Sequence, residues 1–336
     1  MTHHNKTSSL NPSLFGRIRM GYLLAESERL AEWQRFTQEG LGLHVDRVAP
    51  DTLACRIDAH ARRLIIHEGP LEDVAAIGWQ LADDGALQVA LDRLSRQGLQ
   101  VESVDGPPAE LRGVQRFWRV KGPKGLATEF FVHAHQGQQP LQMKASGFVT
   151  GDCGMGHVAI STRHPEAMQA FWMKLFDARL SDHIEQRIDG VNLDLAFLRL
   201  NPRHHSIATA ATKGIRLNPL SKQIHHMNLQ AQSLEDVTQG YLRCRAMGYE
   251  MANSIGQHPN DKELSFYVVS PSGFEIELGW NPILVDEATW QPTVHQGISL
   301  WGHRPENLTL AYRMGRLRNG LSSLMKEEYV PEGVQR

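Results

Sequence analysis

The strongest constraint on this chain is that it repeats itself. GYLLAESERLAEWQRF from Gly21 resembles GHVAISTRHPEAMQAFW from Gly156, and IGWQLADDGALQVALDRL from Ile77 resembles IHHMNLQAQSLEDVTQGYL from Ile224. A third pair, FWRVKGPKGLATEFFV from Phe117 and SFYVVSPSGFEIELGW from Ser265, reads as two hairpins turning at Pro-x-Gly, where proline presets φ and glycine tolerates a positive value. An apolar strand, an amphipathic helix and further strands thus recur four times. Met168, Phe171, Trp172 and Leu175 fall at helical spacing behind Pro165, and Leu87, Ala90, Leu91 and Leu94 form the stripe of an earlier helix. The pattern predicts an α+β fold of tandem βαβββ modules, two domains of two modules each, with the sheets cupped into barrels. Expected boundaries are a disordered N-terminus over 1–14, a first domain over 15–136, a connector over 137–154, a second domain over 155–285 and a tail over 286–336 that wraps the second domain.

Charge and cysteine content narrow the class. With 35 Lys+Arg against 37 Asp+Glu in 336 residues, there is no basic field for a phosphate backbone, and no apolar run reaches the roughly 20 residues that span a bilayer. Nucleic acid and membrane are therefore not expected partners. Cys55, Cys153 and Cys244 are scattered and make no CxxC, so neither a disulfide framework nor a thiolate zinc site is indicated, and a reducing, cytoplasmic compartment is expected. Histidine is the outlier at 17 residues, and it is the commonest metal ligand.

Aligning the halves pairs Tyr22 with His157, Trp79 with His226 and Glu129 with Glu277. Two imidazoles and one carboxylate are the set that holds a divalent metal on one triangular face, leaving the opposite positions for substrate and dioxygen. The first half lacks that set. Strand alternation selects His226 over His225, because His226 shares a face with Asn228 and Gln230 whereas His225 shares one with Met227 and Leu229. By the same rule Phe274, Ile276 and Leu278 form a packed face, and the Pro-x-Gly register chooses Glu277 rather than Glu275. A lone strand histidine is more often structural than a ligand; three groups brought into register by duplication reverse that balance.

The segments GHVAI, NPRHH, IHHMNL, GQHPND, SFY, SPSGFEIELGW and LWGH resemble the type I extradiol ring-cleavage dioxygenases of the vicinal oxygen chelate superfamily, most closely the two-domain 2,3-dihydroxybiphenyl type. Ser270 departs from the family signature, which usually has Asp, Glu, Asn, Thr or Ala there. The resemblance implies that His157, His226 and Glu277 bind Fe(II), with Mn(II) less common. It further implies that His205 is the acid/base, that His258 and Tyr267 hydrogen-bond the substrate oxygens, and that Asn260 and Asp261 orient His258. The implied reaction is extradiol (meta) cleavage of a substituted catechol in aromatic catabolism, both atoms of O2 entering the product, by an enzyme of a kind that is commonly a homo-oligomer. A loop over 206–223 is expected to shape the substrate site, and Phe197, Trp280 and Trp301 are candidates for packing the aromatic ring. Against this stand a glyoxalase-like lyase or isomerase, which leaves His205, His258 and Tyr267 without a joint purpose, and a non-catalytic aromatic-binding protein, which needs no metal.

Overall fold

Four βαβββ units follow one another in the structure, a computed structural model that describes residues 12–188, 191–214, 216–218, 222–306, 314, 318, 320–325 and 327–332. The first two units comprise β1 (Ile18–Glu26), α1 (Leu30–Arg35), β2 (His44–Ala49), β3 (Thr52–Arg56) and β4 (Leu64–His67), then β5 (Asp73–Leu81), α2 (Asp84–Arg96), β6 (Val101–Val104), a short α3 (Pro107–Arg112), β7 (Phe117–Lys121) and β8 (Ala127–Phe131). The second two comprise β9 (Val158–Ser161), α4 (Pro165–Phe176), β10 (Arg179–Ile188), β11 (Val191–Arg199) and β12 (Ile207–Thr212), then β13 (His226–Ala231), α5 (Leu234–Ala246), β14 (Met251–Gln257), β15 (Leu264–Val269) and β16 (Glu275–Trp280). In each half the opening strands of the two units pair antiparallel at the centre, β1 with β5 and β9 with β13. Each of them also pairs in parallel with the last strand of its own unit. The sheets run β2-β3-β4-β1-β5-β8-β7-β6 and β14-β15-β16-β13-β9-β12-β11-β10-β17, where β17 is Thr293–Gln296. Both are open mixed sheets, and the fold is α+β.

Local chemistry explains the elements. Asp83 and Ser233 cap α2 and α5 by accepting from the amides of Ala86 and Asp236. Gly125 and Gly273 close the two Pro-x-Gly turns with φ of 78° and 90°. The helical stripes meet the apolar faces of the sheets in one cluster shared by both halves. There Trp79 packs on Trp172 with ring centroids 4.7 Å apart, and Phe130 stacks on Phe176 at 5.0 Å. Truncating such a buried tryptophan costs about 3–5 kcal/mol.

Several expectations change. The tail does more than wrap the second half: β17 joins its sheet beside β10, and the Tyr329 carbonyl accepts from the Lys124 amide of the first half at 2.8 Å. Residues 1–11 lie outside the described residues, but Leu14 is buried and its amide donates to Asp177, so disorder through residue 14 does not hold. The expected loop over 206–223 is a strand at its start, Ile207–Thr212, because Leu193–Leu198 of β11 offers it an antiparallel partner.

The pairing of Trp79 with His226 is also off. Glu129 lies opposite Gly78, whose antiparallel neighbour is Tyr22; Glu277 lies opposite Asn228, whose amide bonds the His157 carbonyl. Stepping back two residues on each strand reaches Ala76 and His226, opposite Leu24 and Ala159 respectively. Ala76 is therefore the counterpart of His226, and Trp79 points to the other face, into the shared core. Counting back equally from the caps Asp83 and Ser233 leads to the same pair.

In the first half the Glu129 carboxylate is fully buried and accepts from Tyr22 at 2.6 Å, from Arg112 through Nε and Nη2, and from Arg119 at 2.8 and 3.0 Å. Guanidinium charge stands where the second half gathers imidazoles. Replacing Arg112 by Met should destabilise the protein by about 3 kcal/mol, the low end for uncovering a buried charge because Arg119 remains. Urea denaturation should show that loss, and adding Glu129→Gln should restore much of it.

Candidate active site

His157, His226 and Glu277 come from three adjacent strands at the centre of the second sheet. His157 immediately precedes β9. Its backbone is set by Gly156, whose φ is +149° and whose Cβ, if present, would lie 1.9 Å from the Asn228 carbonyl oxygen. Only glycine lets the chain pass β13 this closely. His226 opens β13, and Glu277 sits in β16 on the face opposite Ile276 and Leu278. The Nε2 atoms of His157 and His226 are 3.3 Å apart and lie 3.1 and 3.4 Å from Glu277 Oε2. One ion bonded at about 2.1 Å spaces neighbouring ligands by about 3.0–3.4 Å, so the donor set fits a single divalent cation.

Burial bears on the ionisation of Glu277 and His226. It pushes the Glu277 carboxyl upward, but hydrogen bonds with His157 and His258 and the charges of His226 and His157 hold it well below the usual carboxylate range. Burial drives His226 well below an ordinary imidazole, toward the neutral form a metal needs. The His226 side chain keeps 12% of its surface in solvent and that of His258 14%, so the site opens on their side. His225 is half-buried, and its Nδ1 lies 2.9 Å from Nδ1 of His226, an orienting contact rather than the apolar packing expected of it.

Around this triangle stand three further groups. His258 donates from Nδ1 to the Ile298 carbonyl at 2.7 Å, and its Nε2 lies 2.8 Å from the Tyr267 hydroxyl and 3.2 Å from Glu277 Oε1. Burial alone would lower its pKa; the hydrogen bond and charge of Glu277, with Asp261, raise it to about 9. Tyr267 lies in register with Glu277, and burial together with Glu277 holds its hydroxyl protonated. His205 is buried with its ring centroid 3.9 Å from that of His157 and 4.9 Å from that of Phe197, and burial and neighbouring histidines keep it neutral.

Not every expected role survives. Asp261 makes no hydrogen bond to His258; its Oδ2 lies 3.7 Å from His205 Nδ1, and Asn260 is buried with its amide nitrogen unpartnered among the described residues. The orienting partner of His258 is instead the backbone carbonyl of Ile298. Phe197 is brought into the site, Trp280 shares the packed face with Ile276 and Leu278, and Trp301 is exposed. Asp182, His204 and His303 were missed as site residues. His303 lies against the His258 ring at 4.3 Å and is kept neutral, lowered to about 3 by burial and the His258 charge; LWGH was its signal. Among the described residues no helix is long and apolar enough to cross a membrane, and all three cysteines are free.

Comparison with known proteins agrees with this geometry. Residues 154–278 match the Glyoxalase/Bleomycin resistance protein/Dioxygenase superfamily, and residues 20–69 match the first domain of dihydroxybiphenyl dioxygenase BphC. A biphenyl-2,3-diol 1,2-dioxygenase of Metapseudomonas furukawaii is 33% identical over 85% of this chain and 93% of its own. A 3-methylcatechol 2,3-dioxygenase of Pseudomonas putida is also 33% identical, over 85% and 97%. The crystal structure of BphC, a halotolerant catechol dioxygenase, superposes with a TM-score of 0.77 at 29% identity, covering 86% of this chain and 95% of that one. The chain belongs to the extradiol dioxygenases of the glyoxalase and bleomycin-resistance superfamily.

Gly156→Ala should force β9 away from β13 and separate His157 from the other two donors. Metal titration by calorimetry should show affinity reduced by at least about 10-fold.

Proposed function

We propose that this protein opens the ring of a substituted catechol beside its hydroxyl-bearing carbons, using dioxygen and one Fe(II) held by His157, His226 and Glu277, with Mn(II) the less favoured ion. The observation that carries this reading is the company those three donors keep: the His205 ring against that of His157, and His258 Nε2 within hydrogen-bond reach of both the Tyr267 hydroxyl and Glu277 Oε1, all border the same triangle. A lyase of the same fold has no use for all three. When bound, Fe(II) supplies the Lewis acidity that makes a catechol hydroxyl acidic near neutral pH and the redox contact between ring and oxygen.

The chain's own groups manage protons and charge. His205, kept uncharged, takes a proton from the substrate and later returns it. His258 Nε2 and the Tyr267 hydroxyl direct hydrogen-bond donors at the substrate oxygens. Phe197 offers an edge to the aromatic ring. The reaction balances as catechol plus O2 giving a ring-opened hydroxymuconic semialdehyde or ketone, with both oxygen atoms retained. The segment after β12 contributes to the distal end of the site: Ser161, on the strand face of His157, hydrogen-bonds Asn218 at 2.8 Å. The division into a first half without metal, over 15–136, and a catalytic half, over 155–285, belongs to the same proposal, as does assembly into a homo-oligomer.

Anaerobic loading with Fe(II), followed by 2,3-dihydroxybiphenyl, 3-methylcatechol and catechol in air, should give a yellow product and one O2 consumed per ring opened. His226→Ala should abolish metal retention and turnover, whereas His225→Ala should keep the metal with affinity weakened by about 10–100-fold. An iron-loaded protein that consumes no oxygen with any of the three sinks the reading. Asn218→Ala should change the relative rates on catechol and 2,3-dihydroxybiphenyl; an unchanged ratio removes the distal-end assignment.

A further inference from the structure

Behind His205, on the side away from the metal donors, lies a buried chain of polar groups that the reaction as described does not use. Asp182 is fully buried in β10, where its Oδ1 accepts from the amide and hydroxyl of Thr293 at 2.8 and 2.9 Å. Its Oδ2 lies 2.8 Å from Nε2 of His204. His204, also fully buried, has Nδ1 3.2 Å from Nδ1 of His205, and Trp290 of the tail covers its ring at 5.4 Å. No hydrogen bond from the described residues reaches His205 Nε2.

Hydrogen-bond direction leaves few arrangements. An ionised carboxylate only accepts, so Nε2 of His204 carries the proton in the first contact. The carboxyl of Asp182 stays below its usual range: burial opposes ionisation, and the bonds from His204 and Thr293 outweigh it. Between the two Nδ1 atoms there is room for one proton. Placing it on His204 would make a cation of a ring with no exposed surface, flanked by Phe197 and Trp290. Placing it on His205 keeps both rings neutral and points the same N–H toward Asp261 Oδ2, 3.7 Å away. His205 then has a bare Nε2.

We propose that Asp182, acting through His204, is a positioning residue that sets the tautomer of His205, so that Nε2 presents a lone pair to the substrate. This rests on the acid/base role assigned to His205. The enclosing elements come from distant segments: β10 supplies Asp182, the turn after β11 supplies the histidines, and the tail supplies Thr293 and Trp290.

Asp182→Asn is the discriminating variant because it keeps shape and reverses direction. The two Thr293 donors hold the amide oxygen, so the amide nitrogen faces His204 Nε2 and donates to it. His204 must then carry its proton on Nδ1, and His205 on Nε2. Nitrogen-15 NMR of the Zn(II)-loaded full-length chain, with peaks assigned by single His→Gln variants, should show His204 as the Nε2–H form and His205 as the Nδ1–H form. In Asp182→Asn both should invert. With Fe(II) and 2,3-dihydroxybiphenyl, kcat of Asp182→Asn should fall by about 100-fold or more while KM, iron content and Tm change little. A wild-type His205 bearing its proton on Nε2, or an Asp182→Asn protein with unchanged tautomers and unchanged kcat, overturns the proposal. A wild-type protein that opens no catechol defeats the functional reading alone, since the spectra still decide the relay.

Discussion

A carboxylate with almost no access to water must be answered by positive charge, and this structure solves that problem twice with different chemistry. Removing an ion from water costs several kcal/mol even after relaxation. At Glu277 the answer is a set of imidazoles, His157 and His226 at one carboxylate oxygen and His258 at the other. At Glu129, on the equivalent strand of the first half, it is two guanidiniums and a phenol. The surrounding βαβββ units are alike; what differs is the set of side chains that answers each buried carboxylate.

Placement on sheet strands gives the reactive half its accuracy. The donors occupy neighbouring strands, each locked by a hydrogen-bonded register, so their separations follow from backbone geometry rather than from flexible loops. The groups to which the proposed function assigns proton handling are mounted differently: His258 is at a strand end, His205 in a turn, and both are pinned from behind, by the Ile298 carbonyl and by His204. Fixed donors and buttressed imidazoles suit the roles that the proposed function gives them.

Much of this was readable in the sequence, because duplication converts spacing into geometry. Alternation separated His226 from His225, and the Pro-x-Gly register shared with Glu129 separated Glu277 from Glu275, whereas the close passage at Gly156 emerged only with the folded backbone. The register between Trp79 and His226 was misread because the shared isoleucine before each was taken as the anchor, whereas the helix caps Asp83 and Ser233 keep the true count. Asp182 carried no local signal at all: its partners are His204 and Thr293, and only folding brings them near. The role that the resemblance gave to Asp261 failed for a related reason, since its carboxylate lies nearest His205, a residue far away in the chain.

The arginines of the first cup have a consequence for how the molecule meets scarcity. Their charge is part of the polypeptide, so no chelator can strip it, and that half stays neutralised whatever ions the surroundings offer. In the second cup His258, still protonated up to about pH 9, remains beside Glu277 when the ion departs. On the proposed function, a withdrawn metal would leave that carboxylate still faced by a group of the chain itself, so that losing the ion and losing the fold become separate events.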